Sequence, residues 1–144
     1  MTISKNEFLA NCIFIFHLFV IAFIVFAPFV NNPAILVLHI VSCICLFVHW
    51  FSNTDVCSLT ILESSFRGID RKEGFLHQFI SPIYKINSTE WSNIIWLITF
   101  ILMCISIYKL YNSEKLKIAF EKYYNESDKT WKNTFYHFKP IFEF

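Results

Sequence analysis

Three stretches of this sequence are too long and too apolar to fold in water: Phe8 to Val30, Ala34 to Phe51 and Trp91 to Tyr111. A helix needs about 20 mostly apolar residues to cross the ~30 Å hydrocarbon core of a bilayer. The first run meets that length with only Asn11 and His17 interrupting it, and the second is just long enough. Hydrophobic residues make up 56% of the 144 and charged residues 16%. Soluble domains carry about 45–50% and about 25%, and a chain this small has little interior in which to hide the excess. The first run is longer than the usual core of a secretory signal, and no small-x-small site precedes Asn31, so it is expected to persist as a span.

The expected architecture is an all-α integral membrane protein with three transmembrane helices, a helical hairpin plus a third span, and short interfacial helices. A membrane domain over 1–111 would hold spans at about 8–30, 34–51 and 91–111 with a polar connector over 52–90. Residues 112–144 would form a surface helix and an aromatic tail. Asn32 should end the first span, because a residue before proline is pushed out of the helical region, and Pro33 can open the second. Pro28 should loosen the last turn of the first span. So short a connector forces an antiparallel hairpin.

Within the connector, Ser58 to Arg67 reads as a short helix with Leu59, Leu62 and Phe66 on one face and Glu63 and Arg67 at i,i+4. The apolar patch Phe75 to Tyr84 is too short to cross and is read as interfacial or re-entrant. Leu116, Phe120 and Tyr123 place one apolar face on a helix that would lie on the membrane surface. The last stretch interleaves Trp131, Phe135, Tyr136, Phe138, Phe142 and Phe144 with charge, and should dock on a protein partner, on the membrane domain or on the bilayer. Lys109, Lys115, Lys117, Lys122, Lys129, Lys132 and Lys139 lie at or beyond the end of the third span, against Lys5, Arg67, Arg71, Lys72 and Lys85 on the other side. The positive-inside rule then points to an inward C-terminus.

A net charge of +1 gives no sign of a nucleic-acid partner. Five cysteines, four of them in apolar runs, make no disulfide framework. Eighteen Phe against two Gly suggest an AT-rich coding source, such as an organelle, a protist or a large DNA virus.

Ionisable groups inside spans are costly and therefore the first place to seek function. Here they are His17, His39 and His49. Counted from a turn near Asn32, His17 falls at about the depth of Phe47 to His49, so a His17/His49 pair could ligate a haem or a metal. His39 is one turn from Cys43, and His49 one turn from Cys45. The competing reading is that each histidine bonds a neighbouring helix. No HExxH, CxxC or CxxCH motif occurs, so no cofactor is expected. Glu63 could accept a proton near the membrane with Arg67 tuning it, or the two could form an exposed pair worth a few tenths of a kcal/mol. Cys57 and Ser58 have no adjacent base in sequence, and no catalysis is evident.

His49-Trp50, then Cys57-Ser58-Leu59-Thr60-Ile61-Leu62-Glu63, then Arg67, followed by Phe79, Pro82 and Tyr84, resemble a family of small membrane proteins catalogued as domain of unknown function 2784. That family's pattern is a hairpin with a histidine in each span, then Cys-Pro-Leu-Thr-x-Leu-Glu-x-x-x-Arg, then Phe-Ile and Pro-x-Tyr before a last span. The resemblance covers roughly His17 to Tyr108. Ser58 stands where the family has proline, and the tail after Tyr111 has no counterpart in the pattern. It implies a shared three-span architecture and positions of interest at His17, His39, Cys57, Thr60, Glu63 and Arg67, without implying an activity.

The leading functional expectation is a structural or assembly subunit of a larger membrane-associated complex, such as a virion inner membrane or an organellar assembly, held through its aromatic tail. The alternatives are a haem- or metal-binding redox protein using His17 and His49, and a small carrier or lipid-binding module with Glu63 and Arg67 at its mouth.

Overall fold

The computed structural model describes residues 6–52, 57–68, 88–125 and 130–142. Among them every regular element is helical and no strand occurs. In chain order these are α1 (Glu7–Phe26) with a 3-10 turn (Ala27–Phe29), α2 (Pro33–Ser52), α3 (Ser58–Arg67), α4 (Ser88–Tyr111), α5 (Glu114–Asn125), and α6 (Trp131–Phe138) with a 3-10 turn (Lys139–Ile141). The Phe75–Tyr84 patch, with Phe79, Pro82 and Tyr84, lies outside the described residues, as do Phe144 and the side chain of Trp91.

Glu7–Phe29, Pro33–Ser52 and Ser92–Tyr111 are long and apolar enough to cross a bilayer. Large apolar side chains stand outward along all three, among them Phe8, Phe19, Leu38, Val48, Leu97 and Phe100. Soluble monomers rarely tolerate a contiguous apolar patch beyond a few hundred Å². Hydrocarbon removes that penalty. The chain is a multi-pass membrane protein.

Helix ends follow from local chemistry. Asn6 Oδ1 accepts the Leu9 amide at 3.2 Å and opens α1. Asn32 Oδ1 accepts the Ala34 amide at 2.9 Å and opens α2, with Pro33 in the first helical position, where a missing N–H costs nothing. Pro28 cannot donate to the carbonyl four residues back, and α1 closes there into the 3-10 turn. Gly68 ends α3 at φ 67°, a left-handed backbone that glycine adopts without steric cost.

By backbone contacts the chain divides into two compact units: Met1–Phe23 with Ile44–Thr99, and Ile24–Cys43 with Phe100–Phe144. In the first, Phe47 and Trp96 stack with ring centroids 5.2 Å apart and Trp50 lies 5.6 Å from Trp96. Trp96 is therefore engaged by α2, whereas Tyr108 and Tyr111 stand exposed as an aromatic belt would.

In the second unit α5 packs on α6 and on the turn after it. Ala119 and Ile141 are buried, Leu116 and Tyr123 half-buried. Phe138 meets Phe120 edge-on at 5.2 Å and lies 6.1 Å from Tyr123. The face read from sequence as Leu116, Phe120 and Tyr123 is thus rotated towards Ala119. Phe120 remains 42% exposed because it reaches Phe138 from the flank.

Candidate functional site

α3 differs from a water-surface helix in which side faces inward. Thr60, Glu63 and Ser64 are buried, while Ile61 and Leu62 are exposed. Thr60, Glu63, Ser64 and Arg67 recur at i, i+3, i+4 and i+7 and so share one face. On the face read from Leu59, Leu62 and Phe66, Leu62 is exposed while Leu59 and Phe66 are half-buried. Where the surrounding solvent is lipid, amphipathicity inverts, and the polar stripe becomes the one that needs protein partners.

Those partners come from α1 and the residue before it. The Asn6 amide donates to the Phe66 carbonyl at 3.0 Å. Arg67 Nε donates to Glu63 Oε1 at 2.8 Å, and Arg67 Nη2 donates to Asn11 Oδ1 at 3.0 Å. Glu63 lies within electrostatic reach of the buried His17 ring. His17 is ten residues beyond Glu7, about 15 Å along the helix at 1.5 Å per residue. α3 therefore turns back along the first half of α1 and carries a carboxylate to the level of His17. The ion pair read from the i,i+4 spacing is no exposed pair: the Glu63 side chain is 2% exposed and that of Arg67 25%.

Thr60 Oγ1, one turn before Glu63 on the same face, is buried and has no hydrogen-bond partner among the described residues. Most buried polar groups are paired, so an orphan beside a buried carboxylate calls for a physical reason.

His49 serves the other end of α3. Its Nε2 accepts the Ser58 amide at 3.0 Å. The first amides of a helix lack intrahelical acceptors, and Cys57, at the cap position, makes no side-chain cap bond. A histidine from α2 supplies the acceptor instead.

His39 belongs to the second unit and is fully buried. Its Nε2 lies 3.0 Å from the Ile24 carbonyl, and Ser106 Oγ lies 2.8 Å from its Nδ1. A carbonyl can only accept, so Nε2 carries the proton and Nδ1 of the neutral ring accepts the Ser106 hydroxyl. Cys43 Sγ lies 3.4 Å from Nε2. Nearby, Lys109 Nζ donates to the carbonyls of Pro28 at 3.1 Å and Val30 at 3.3 Å. All five cysteines are free. No group of three or more His, Cys, Asp or Glu side chains among the described residues could hold a metal ion.

Of the tail residues singled out from sequence, Phe138 is taken up by α5, whereas Trp131, Phe135, Tyr136 and Phe142 are exposed. Asn11, Ser106 and Lys109 were not singled out as site residues. Each is polar within or beside an apolar run, which is the signal that marks them.

A family model described as Protein of Unknown function (DUF2784) matches residues 7–111. The chain belongs to this family. The matched range takes in α1 to α4, and hence the Glu63 cluster and the His39 contacts; α5 and α6 fall outside it. No curated protein and no solved structure matches the chain.

Proposed function

We propose that this DUF2784 protein is a small carrier or lipid-binding module whose working site is the cluster of His17, Thr60, Glu63 and Arg67. The observation that supports the reading is the buried Glu63 carboxylate with the orphan Thr60 hydroxyl one turn away on the same inward face. As a fastening for α3 the arrangement is uneconomical. Desolvation costs several kcal/mol per ion, and well-packed apolar side chains of similar volume often serve stability as well or better. As a binding site it is coherent: Arg67 has donors left after Glu63 and Asn11, and Thr60 offers a hydroxyl on the same face. The reading assigns no cofactor and no catalysis, and gives Cys57 no part in the site.

Native mass spectrometry of the chain extracted in mild detergent tests the proposal. The wild type should retain a lipid or small polar molecule in stoichiometric amount, and Glu63→Gln and Arg67→Gln should lose it while keeping their helical signal. A wild type that carries nothing, and transports nothing after reconstitution, would refute it.

The second reading, a structural or assembly subunit, draws on the exposed Trp131, Phe135, Tyr136 and Phe142. It predicts extraction as part of a larger particle and a tail that resists protease only within that particle.

A further inference from the structure

The α5–α6 hairpin leaves an aromatic surface uncovered after its own packing is complete. Phe138 and Ile141 are used internally, while Trp131 is 84% exposed, and Phe135, Tyr136 and Tyr124 are exposed with it. Lys139 after α6 and Lys115, Lys117 and Lys122 on α5 are exposed too, against Glu114, which pairs with Lys117 at 3.2 Å, and Glu121. Trp131 and Phe135 are one turn apart, and Tyr136 and Lys139 continue the same arc.

The position of this surface in the chain says what meets it. Tyr108 and Tyr111 stand exposed at the end of α4, where interfacial aromatics sit. Only Asn112 and Ser113 separate α4 from α5, and both are fastened. The Asn112 amide and Asn112 Nδ2 donate to the Tyr108 carbonyl, and the Ser113 amide donates to that of Leu110. Two residues span at most about 7 Å. Hence α5 starts at the headgroup level of the bilayer that α4 crosses, and α6 folds back on α5.

We propose that the hairpin is a membrane-surface anchor, laying Trp131, Phe135 and Tyr136 into the headgroup region of that bilayer, with its lysines favouring anionic lipid. Trp and Tyr suit this zone because each has an apolar body and a polar tip. The basic residues add attraction to an anionic surface, which a neutral one does not offer.

The test uses the full chain in lipid nanodiscs. The fluorescence contributed by Trp131 is the difference between the wild type and Trp131→Phe, a change at an exposed position that leaves the packing of Phe138 intact. Lipids brominated high in their acyl chains should quench that contribution strongly, and phosphatidylserine should strengthen the quenching over phosphatidylcholine. Amides 131–142 should exchange hydrogen more slowly in phosphatidylserine than in phosphatidylcholine discs. Quenching of Trp131 by aqueous iodide but not by brominated lipid would overturn the proposal. So would shielding of Trp131 that appears only in the native membrane with a stoichiometric protein partner, an outcome that would give this surface to assembly.

Discussion

His39 supplies the hydrogen-bond donor that Pro28 withholds. In an unbroken helix the amide of residue 28 would donate to the Ile24 carbonyl, but proline has none, and His39 Nε2 donates to that carbonyl at 3.0 Å. In hydrocarbon, where water cannot replace the missing partner, a proline is tolerated when a neighbouring helix satisfies the freed group. The Ser106 hydroxyl then meets the other ring nitrogen at 2.8 Å, so one imidazole joins segments from all three spans.

Replacing His39 with Leu should therefore destabilise the fold by about 1–3 kcal/mol, the range for leaving a buried polar partner unsatisfied. The cost should shrink in a Pro28→Ala background, where residue 28 again carries an amide. Thermal unfolding in detergent of the two single variants and the double variant gives the coupling. Equal costs of His39→Leu in both backgrounds would separate the imidazole from the proline.

The Glu63 pair makes a sharper separation of fold from function. Arg67→Ala leaves the Glu63 carboxylate buried without its guanidinium and should cost about 3–5 kcal/mol. Replacing both with Leu removes both charges and should restore most of that stability while abolishing ligand retention. Unfolding midpoints beside native mass spectra measure the two effects on the same samples. A doubly substituted protein that still holds ligand would move the site elsewhere.

Lys109 should matter for stability through geometry as well as charge. Its amine donates to the carbonyls of Pro28 and Val30, which the end of the first span leaves open. Lys109→Met should cost about 1.5–3 kcal/mol, as for hydrogen bonds involving a charged group. Lys109→Arg should retain part of that. Faster hydrogen exchange at the Val30 amide in Lys109→Met, read by mass spectrometry, would place the loss at the turn.

Much of this architecture is legible in the sequence because lipid imposes a single requirement, about twenty apolar residues per crossing, and three runs meet it. The turn at Asn32-Pro33 is legible because cap chemistry is local. What escapes is orientation. That α3 exposes Leu62 and buries Glu63 could not be read, because helical periodicity reveals an amphipathic stripe without saying which solvent it faces. The same limit hid Ser106 and Asn11: single polar residues in apolar runs signal partners, but partner choice depends on how helices meet. Cys57-x-Leu-Thr-x-Leu-Glu drew attention to α3, whereas the approach of its Glu63 to His17 is tertiary.

The pairing of His49 with Ser58 can be tested with proline, the residue that the resemblance implies at position 58. Proline in the first turn of a helix needs no acceptor, and serine at position 58 brings an amide that does. Cys57 already has φ −69° and ψ 128°, the extended backbone that a residue before proline prefers. Ser58→Pro should thus be tolerated, changing stability by less than about 1 kcal/mol, because a preset φ offsets the lost bond. His49→Ala should cost about 0.5–1.5 kcal/mol with Ser58 in place, the net worth of one hydrogen bond. In the Ser58→Pro background it should lose that hydrogen-bond term and retain only its packing term. A four-member thermal-unfolding cycle reads the difference directly. A His49→Ala cost that is undiminished by proline would mean that the imidazole supports α3 through packing rather than as the acceptor for its first amide.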